Sequence, residues 1–113
     1  MAFSAVQIQG DVLHVEACGH LEGSEIELLL MSIREYAELV LGAPVLLIID
    51  ARRIEFISAT ARFAIAEGGR QSYLKGIHFT QCDPLLAQTL RAIQVLAPRT
   101  RIDFDETGAP PAQ

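Results

Sequence analysis

The sequence predicts a single α/β domain with a mostly parallel five-stranded sheet, an N-terminal antiparallel hairpin and three main helices. Three observations support this prediction. Apolar runs typical of strands alternate with helical patterns in the order β-β-α-β-α-β-α-β. The connections are short, so right-handed crossovers place successive strands parallel to one another. The length of 113 residues suits one domain with its own hydrophobic core.

The N-terminal part is predicted to form a β-hairpin. Apolar and polar side chains alternate along Phe3–Gln9, and Gly10-Asp11 supplies a tight turn. Val12–Cys18 follows as the second strand, and residues 19–23 form a loop.

The first helix is predicted to begin at Ser24, because Glu27 follows three residues later with the spacing of a capping box. It is predicted to run to Gly42, and Pro44 just beyond prevents its continuation. Its apolar stripe indicates a broad core face. That face comprises Ile26, Leu29, Leu30, Ile33, Ala37, Val40 and Leu41.

Three apolar side chains of the same helix fall outside the predicted core face, namely Leu28, Met31 and Leu39. Isolated leucines on a surface are common and need no special explanation. The alternative is a second apolar contact. The simplest form of that contact is a homodimer or a surface for another partner.

The central segment, Val45–Gly76, is predicted to position the functional surface. The apolar run Val45–Asp50 predicts a strand covered on both faces, and a loop over Ala51–Ile57 follows. Ser58 is the predicted cap of a second helix that runs to Gly76. In an open α/β sheet, ligands and partners dock beyond the carboxyl ends of the strands, so we expect the working surface here.

Gly68-Gly69 lies inside this predicted helix, where each glycine costs about 1 kcal/mol relative to alanine. The pair indicates either a close approach of the backbone to another element or a break in the helix. Arg62 shares one predicted apolar face with Ile65, Ala66, Gly69 and Tyr73. Its side chain either lies along the surface with its charge in water, or reaches an anion or a carboxylate such as Asp50.

Ile77–Cys82 is the predicted fourth strand. Asp83 then caps a third helix with proline at its first position, and Pro98 ends that helix. Its predicted core face comprises Leu85, Leu86, Thr89, Leu90, Ala92, Ile93 and Leu96.

Thr100–Phe104 is the predicted last strand. The domain is accordingly predicted to span residues 1–105. Residues 106–113, with glycine and two prolines, are predicted to form a flexible C-terminal tail.

Composition excludes several classes of function. A formal net charge of −5 argues against nucleic acid and anionic membrane as partners. No apolar run approaches the roughly 20 residues that cross a bilayer, and the first residues do not resemble a signal peptide, so we expect a cytoplasmic protein without membrane insertion.

Metal and cofactor sites are not indicated. Cys18 and Cys82 lack a metal-ligand or disulfide spacing, and both are predicted to be small buried hydrophobes at strand ends. The histidines His14, His20 and His78 have no zinc-binding spacing. We therefore expect neither a metal nor a cofactor.

Catalytic motifs are also missing from the sequence, which contains no phosphate-binding glycine loop and no nucleophile elbow. One catalytic hypothesis stays open, in which Asp50, Ser58 and Arg62 act together. Ser58 could act as a nucleophile only with a base beside it, and no histidine lies near it in the sequence, so we expect a protein that is not an enzyme.

The order of elements and the central segment resemble the STAS domain of bacterial anti-sigma-factor antagonists and stressosome subunits. Val45–Asp50 matches the family's strand, and Phe56-Ile57 matches its apolar pair. Ser58-Ala59-Thr60-Ala61 stands where the family has an Asp-Ser-Ser/Thr-Gly type sequence at a helix start.

This resemblance implies a regulatory module that binds a protein partner, such as a regulatory kinase or an anti-sigma factor. Ala59 occupies the usual phosphoacceptor position and has no hydroxyl, so the family's phosphoryl switch cannot operate there. Ser58 and Thr60 are the neighbouring candidates for phosphorylation. The partner-binding residues implied are Asp50, Ser58, Ala59, Thr60, Ala61 and Arg62.

A looser resemblance is to small STAS-like and SEC14-like bacterial proteins, which carry an arginine early in the same helix, as Arg62 does here. It implies an alternative function, the binding of a lipid or another apolar ligand between helix and sheet.

Overall fold

Strands and helices alternate along residues 2–106, which are the residues that the computed structural model describes. The elements are β1 Phe3–Gln9, β2 Val12–Leu21, α1 Gly23–Glu35, β3 Val45–Ile57, α2 Ala59–Gly68, β4 Leu74–Cys82, α3 Pro84–Leu96 and β5 Ile102–Glu106. A π-helical turn over Tyr36–Leu41 extends α1.

The five strands form one sheet in the order β1-β2-β3-β4-β5. β1 and β2 pair antiparallel, and the other three pairs are parallel, which confirms the predicted fold class. Each crossover steps to the next strand in the same direction, so right-handed connections place all three helices on one face of the sheet. The core lies between that face and the helices.

The opposite face of the sheet is open, and the prediction that β3 is covered on both faces was wrong. Val45, Leu47 and Ile49 are buried beneath the helices, while Leu46, Ile48 and Asp50 alternate with them and are only half-buried. The strand order also never reverses along the sheet. The described strands consequently form no switch-point crevice of the kind that doubly wound sheets use for ligands.

β3 is longer than predicted, because the expected loop over 51–57 continues the strand. Ala51, Ile54 and Ile57 are buried, and β3 keeps pairing with β2 as far as Leu21 opposite Ile57. The register of the β2–β3 pairing is irregular in places, and both strands continue to pair beyond these irregularities. For the same reason β2 extends through most of the predicted loop after Cys18.

The start of α1 also differs from the prediction. Its cap residue is Glu22, and a carboxylate oxygen of Glu25 accepts the Glu22 backbone N–H at 3.3 Å. The second oxygen of Glu25 accepts the N–H of Ala2 at 3.0 Å. The predicted capping box of Ser24 and Glu27 was therefore displaced by a box that also ties down the N-terminal strand.

The π-helical turn changes which side chains face the core at the end of α1. Gly42 donates its N–H to the carbonyl of Ala37 at 2.8 Å, a span of five residues instead of four. The wider turn changes the angular spacing of the side chains within it, and Val40 in this turn is 73% exposed, so its predicted core position was wrong. Gly42, at φ 70°, then ends the helix.

α2 ends at Gly68, and Gly76 belongs to β4, so the predicted helix was too long. The two glycines mark both a break and a close approach. An added Cβ at Gly68 would lie 2.6 Å from Leu30 Cδ1, and one at Gly69 would overlap the Thr100 side chain. Both interpretations of this pair are confirmed.

The C-terminal third follows the prediction more closely. Asp83 caps α3 by accepting the Leu86 N–H at 2.7 Å. β5 begins at Ile102 and extends to Glu106, so the predicted domain boundary at residue 105 falls within it. The rest of the predicted tail, residues 107–113, lies outside the described residues and stays a prediction.

Candidate functional site

The start of α2 is held in place by two hydroxyl groups. Ser58 Oγ accepts the Ala61 N–H at 3.1 Å, as predicted for a helix cap, and lies 3.0 Å from Thr60 Oγ1. Thr60 Oγ1 in turn accepts the N–H of Gly23 at 3.2 Å. These bonds join the starts of α2 and α1, so both candidate phosphorylation sites already have structural roles.

We expect Ser58→Ala to lower the free energy of unfolding by about 1 kcal/mol, because it removes the cap of α2. Ser24→Ala is the matched control, since Ser24 is exposed and Glu22 with Glu25 caps α1. Urea denaturation of both variants measures the difference. Equal losses, or a larger loss for Ser24→Ala, would contradict this account of the two helix starts.

The two alanines at this helix start have opposite environments. Ala59 is exposed, whereas Ala61 is fully buried at 0% exposure. Ala61 faces the core because α2 buries Ala61, Ala64, Ile65 and Gly68 against the sheet and α1. The prediction that Ala61 contacts a partner is therefore corrected, and Ala59 stays available at the surface.

Arg62 is exposed at the first turn of α2. Within residues 2–106, no hydrogen bond or ion pair involves its guanidinium group, in contrast to Arg70 on the same helix, which pairs with Glu67 at 3.2 Å. Of the two alternatives for Arg62, the contact with Asp50 does not form, because Asp50 pairs with Arg52. Arg62 therefore offers a free positive charge to solvent.

Two grooves meet at Arg62. The larger one, about 480 Å³, lies between α2 and α3, and Ala59, Phe63 and Leu96 line it together with Arg62. The smaller one, about 180 Å³, lies between α3 and the end of β3, where Phe56 and Leu85 line it.

The apolar side chains around these grooves are unusually open to solvent. Phe56 is 51% exposed, Phe63 69%, Leu85 73% and Leu96 84%. Together with Ala59 and Arg62 they form what we call the Arg62 surface. Sequence reasoning identified Ala59 and Arg62 but missed the apolar part of this surface, because Leu85 and Leu96 were placed on the core face of α3, which is narrower than predicted.

Asp50 lies on the open face of the sheet, away from the Arg62 surface. Its carboxylate binds the Arg52 guanidinium at 2.8 Å and accepts the Arg52 backbone N–H at 3.1 Å. Partial burial alone would raise the pKa of Asp50, but the hydrogen bonds and charge of Arg52 outweigh it and lower that pKa. Asp50 thus belongs to a separate site, which corrects its predicted grouping with Ser58 and Arg62.

These positions leave the catalytic hypothesis without a mechanism. Asp50 lines a cavity on the open face with His14 and Thr80, whereas Arg62 lines the grooves on the helical face and Ser58 caps α2. The described residues also contain no cluster of three side chains suited to holding a metal ion.

No family model and no curated protein matches the sequence. The anti-sigma factor antagonist SpoIIAA in its unphosphorylated form aligns with 80% of this chain and 82% of its own, at 16% identity and a TM-score of 0.61. The chain has a STAS-like fold.

A second solved structure supports the same conclusion. It is an uncharacterized protein from the DUF3478 family of Shewanella loihica PV-4, with a SpoIIAA-like fold, aligned over 96% of this chain and 86% of its own. The identity is 18% and the TM-score is 0.57. At such low identity, the likeness of this STAS-like domain to both proteins is one of fold.

The outer apolar residues of α1 in this STAS-like domain lie at the surface. Leu28 is 65% exposed, Met31 59% and Leu39 81%. Their predicted position outside the core face is confirmed. Their role as a dimer surface stays a prediction.

The two cysteines of the STAS-like domain differ. Cys82 ends β4 and is fully buried, as predicted, and burial, with smaller effects of nearby carboxylates, raises the pKa of its thiol to about 12. Cys18 lies within β2 and is exposed, so its predicted burial was wrong. No helix among the described residues is long and apolar enough to span a membrane.

Proposed function

We propose that this STAS-like domain is a non-enzymatic regulatory module that binds a protein partner through the Arg62 surface. One observation carries the proposal. An arginine without an intramolecular partner among the described residues lies where two grooves meet, and four large apolar side chains more than half exposed surround it.

The chemistry of this surface suits a protein interface. Arginine and aromatic residues are enriched among the side chains that dominate binding energy, and adjacent apolar contacts exclude water around them. Exposed apolar groups that cluster, as Phe63 and Leu96 do around the larger groove, are typical of interaction sites. We expect a partner with a carboxylate opposite Arg62 and apolar side chains in the grooves.

The resemblance to anti-sigma-factor antagonists suggests a regulatory kinase or an anti-sigma factor as this partner, in the cytoplasm. Because Ala59 carries no hydroxyl, we propose that binding is not switched by phosphorylation at that position. Phosphorylation of Ser58 or Thr60 stays a prediction, and it would have to displace the hydrogen bonds that these hydroxyls make.

The test compares charge-introducing variants against a purified partner identified by affinity capture. We expect Arg62→Glu and Leu96→Glu each to weaken binding about 30-fold or more, which corresponds to the loss of a strong interface residue. Val95→Glu is the matched control, because Val95 is 74% exposed on the same helix but does not line either groove. Isothermal titration calorimetry measures the affinities.

Unchanged affinity of Arg62→Glu and Leu96→Glu would remove this surface from the proposal. An equal loss with Val95→Glu would show that added negative charge on α3, and not the groove, is responsible. Circular dichroism of each variant checks that the fold is retained.

A second candidate function is the binding of an apolar ligand. It is favoured by the volume of the α2–α3 groove, about 480 Å³, which lies within the usual range of ligand sites. The groove lies between two helices, however, and not between helix and sheet as expected from the sequence. Native mass spectrometry after loading with lipids would reject this function if no bound ligand is detected.

A further inference from the structure

The two edges of the sheet are protected to very different degrees. β5, at one edge, has the sequence Ile-Asp-Phe-Asp-Glu and thus carries three carboxylates. β1, at the other edge, has the sequence Phe-Ser-Ala-Val-Gln-Ile-Gln, with no charged residue, proline or glycine. Charged residues, prolines and β-bulges are among the means by which proteins prevent an edge strand from pairing with another chain, and of these β1 has only the irregularity between Ser4 and Gln7.

β1 also exposes apolar side chains. Val6 is 55% exposed and Ile8 is 53% exposed. Among residues 2–106 the strand pairs with β2 on one side only, so within this part of the chain the other side of its seven residues is an open edge. An uncharged edge strand with exposed β-branched side chains is a template for a further strand.

We propose that β1 pairs antiparallel with β1 of a second copy of this chain, which joins the two sheets across a twofold axis. A twofold contact uses the same patch on both copies and closes the assembly at two. Because no side chain of β1 is charged, every antiparallel register avoids like-charge pairs.

Two other candidate contacts between copies are disfavoured by charge. A contact between two β5 edges would bring the three carboxylates of each strand into one interface. The outer face of α1 likewise carries exposed Glu27 and Glu35 beside Leu28. Of the two strand edges, the β1 edge is the one at which two copies can pair without bringing like charges together.

One feature limits the strength of this dimer. The pairing of β1 with β2 is irregular between Ser4 and Gln7, and such an irregularity twists an edge. The regular part next to the turn, Gln7–Gln9, is short. We therefore expect a dimer that dissociates on dilution and not a permanent one.

The dimer leaves the Arg62 surface of both copies free, because that surface is built on β3, α2 and α3 and β1 pairs only with β2. Two such surfaces on one assembly raise the avidity for a partner that is itself dimeric. This consequence rests on the proposed function, whereas the β1 pairing does not.

Sedimentation velocity over a wide range of concentration tests the pairing. We expect the wild-type mass to rise toward that of a dimer, and Ile8→Lys to weaken association about tenfold or more because it places charges at the edge. Gln7→Lys is a second edge variant that removes no apolar side chain. Leu28→Lys, on the exposed face of α1, is the matched control and is expected to dimerise like wild type.

A wild-type chain that stays monomeric at all concentrations would overturn the proposal. So would a dimer that Leu28→Lys dissociates while both β1 variants leave it intact, because the contact would then lie on α1. Circular dichroism confirms folding of each variant, and the partner-binding test at Arg62 is independent of these results.

Discussion

Ala61→Glu is expected to unfold the domain or to leave it severely destabilised, with a loss on the order of 4–5 kcal/mol or more. Ala61 is 0% exposed and lies on the face of α2 that packs against the rest of the core. A glutamate there either buries a charge without a partner or takes up a proton, and it also overfills a packed site. Domains of this size have only about 5–15 kcal/mol to lose.

Ala59→Glu is the matched control for this prediction. Ala59 lies two residues earlier on the same helix and is exposed at its first position. A carboxylate in the first turn interacts favourably with the helix dipole, so stability is expected to stay within about 0.5 kcal/mol or to rise slightly. Thermal unfolding followed by circular dichroism compares the two variants.

A natively folded Ala61→Glu protein with an unchanged melting temperature would show that α2 does not pack as described. If Ala59→Glu were equally damaging, the start of α2 as a whole would have to be buried. The pair also decides which of these alanines can be used to probe a partner, because only a variant that keeps its fold reports on binding.

Phe79→Ala is expected to lower the free energy of unfolding by about 3–5 kcal/mol. Phe79 is fully buried in β4, beneath the helices, and is among the largest side chains of the core. Its truncation removes apolar contacts on every side and leaves a cavity that the surrounding strands and helices cannot fully close. The loss is thus larger than expected for removing its transfer free energy alone.

Phe63→Ala provides the comparison. Phe63 is 69% exposed on α2, so its truncation is expected to change stability by no more than about 0.5 kcal/mol. Under the proposed function it should weaken partner binding instead, because Phe63 lines the larger groove. Urea denaturation gives the stabilities, and similar losses for the two phenylalanines would contradict the described core.

Local patterns in the sequence were sufficient to predict much of the fold. The hairpin at Gly10-Asp11, the caps at Ser58 and Asp83, and the strand and helix order all agree with the structure. Each depends on residues close together in the chain, such as a turn pair, a capping side chain or a run of apolar residues. The parallel pairing followed from short crossovers of one hand.

The predicted ends of helices and strands were wrong where segments distant in the sequence contact one another. The capping box of α1 pairs Glu22 with Glu25 and not Ser24 with Glu27, and Glu25 also binds the N–H of Ala2, which is distant in the sequence. β3 continues past Asp50 because β2 keeps pairing with it. α2 stops at Gly68, and Leu30 and Thr100 lie so close to Gly68 and Gly69 that a side chain would not fit at either position.

The candidate site, too, was predicted in part from local sequence patterns and was otherwise decided by contacts between distant segments. The sequence marked Arg62 and the start of α2, but it could not separate exposed Ala59 from buried Ala61 or place Asp50 on the opposite face of the sheet. Nor could it show that Phe56, Leu85 and Leu96 are exposed around Arg62.

The amino-acid sequence by itself determined the order of strands and helices, the hand of their connections and the uncharged character of β1. Only the tertiary structure decided that one face of the sheet is covered and the other open, since all three helices pack on one side of it. Burial depends on neighbours that are remote in the chain, and the periodicity of a single segment does not contain them.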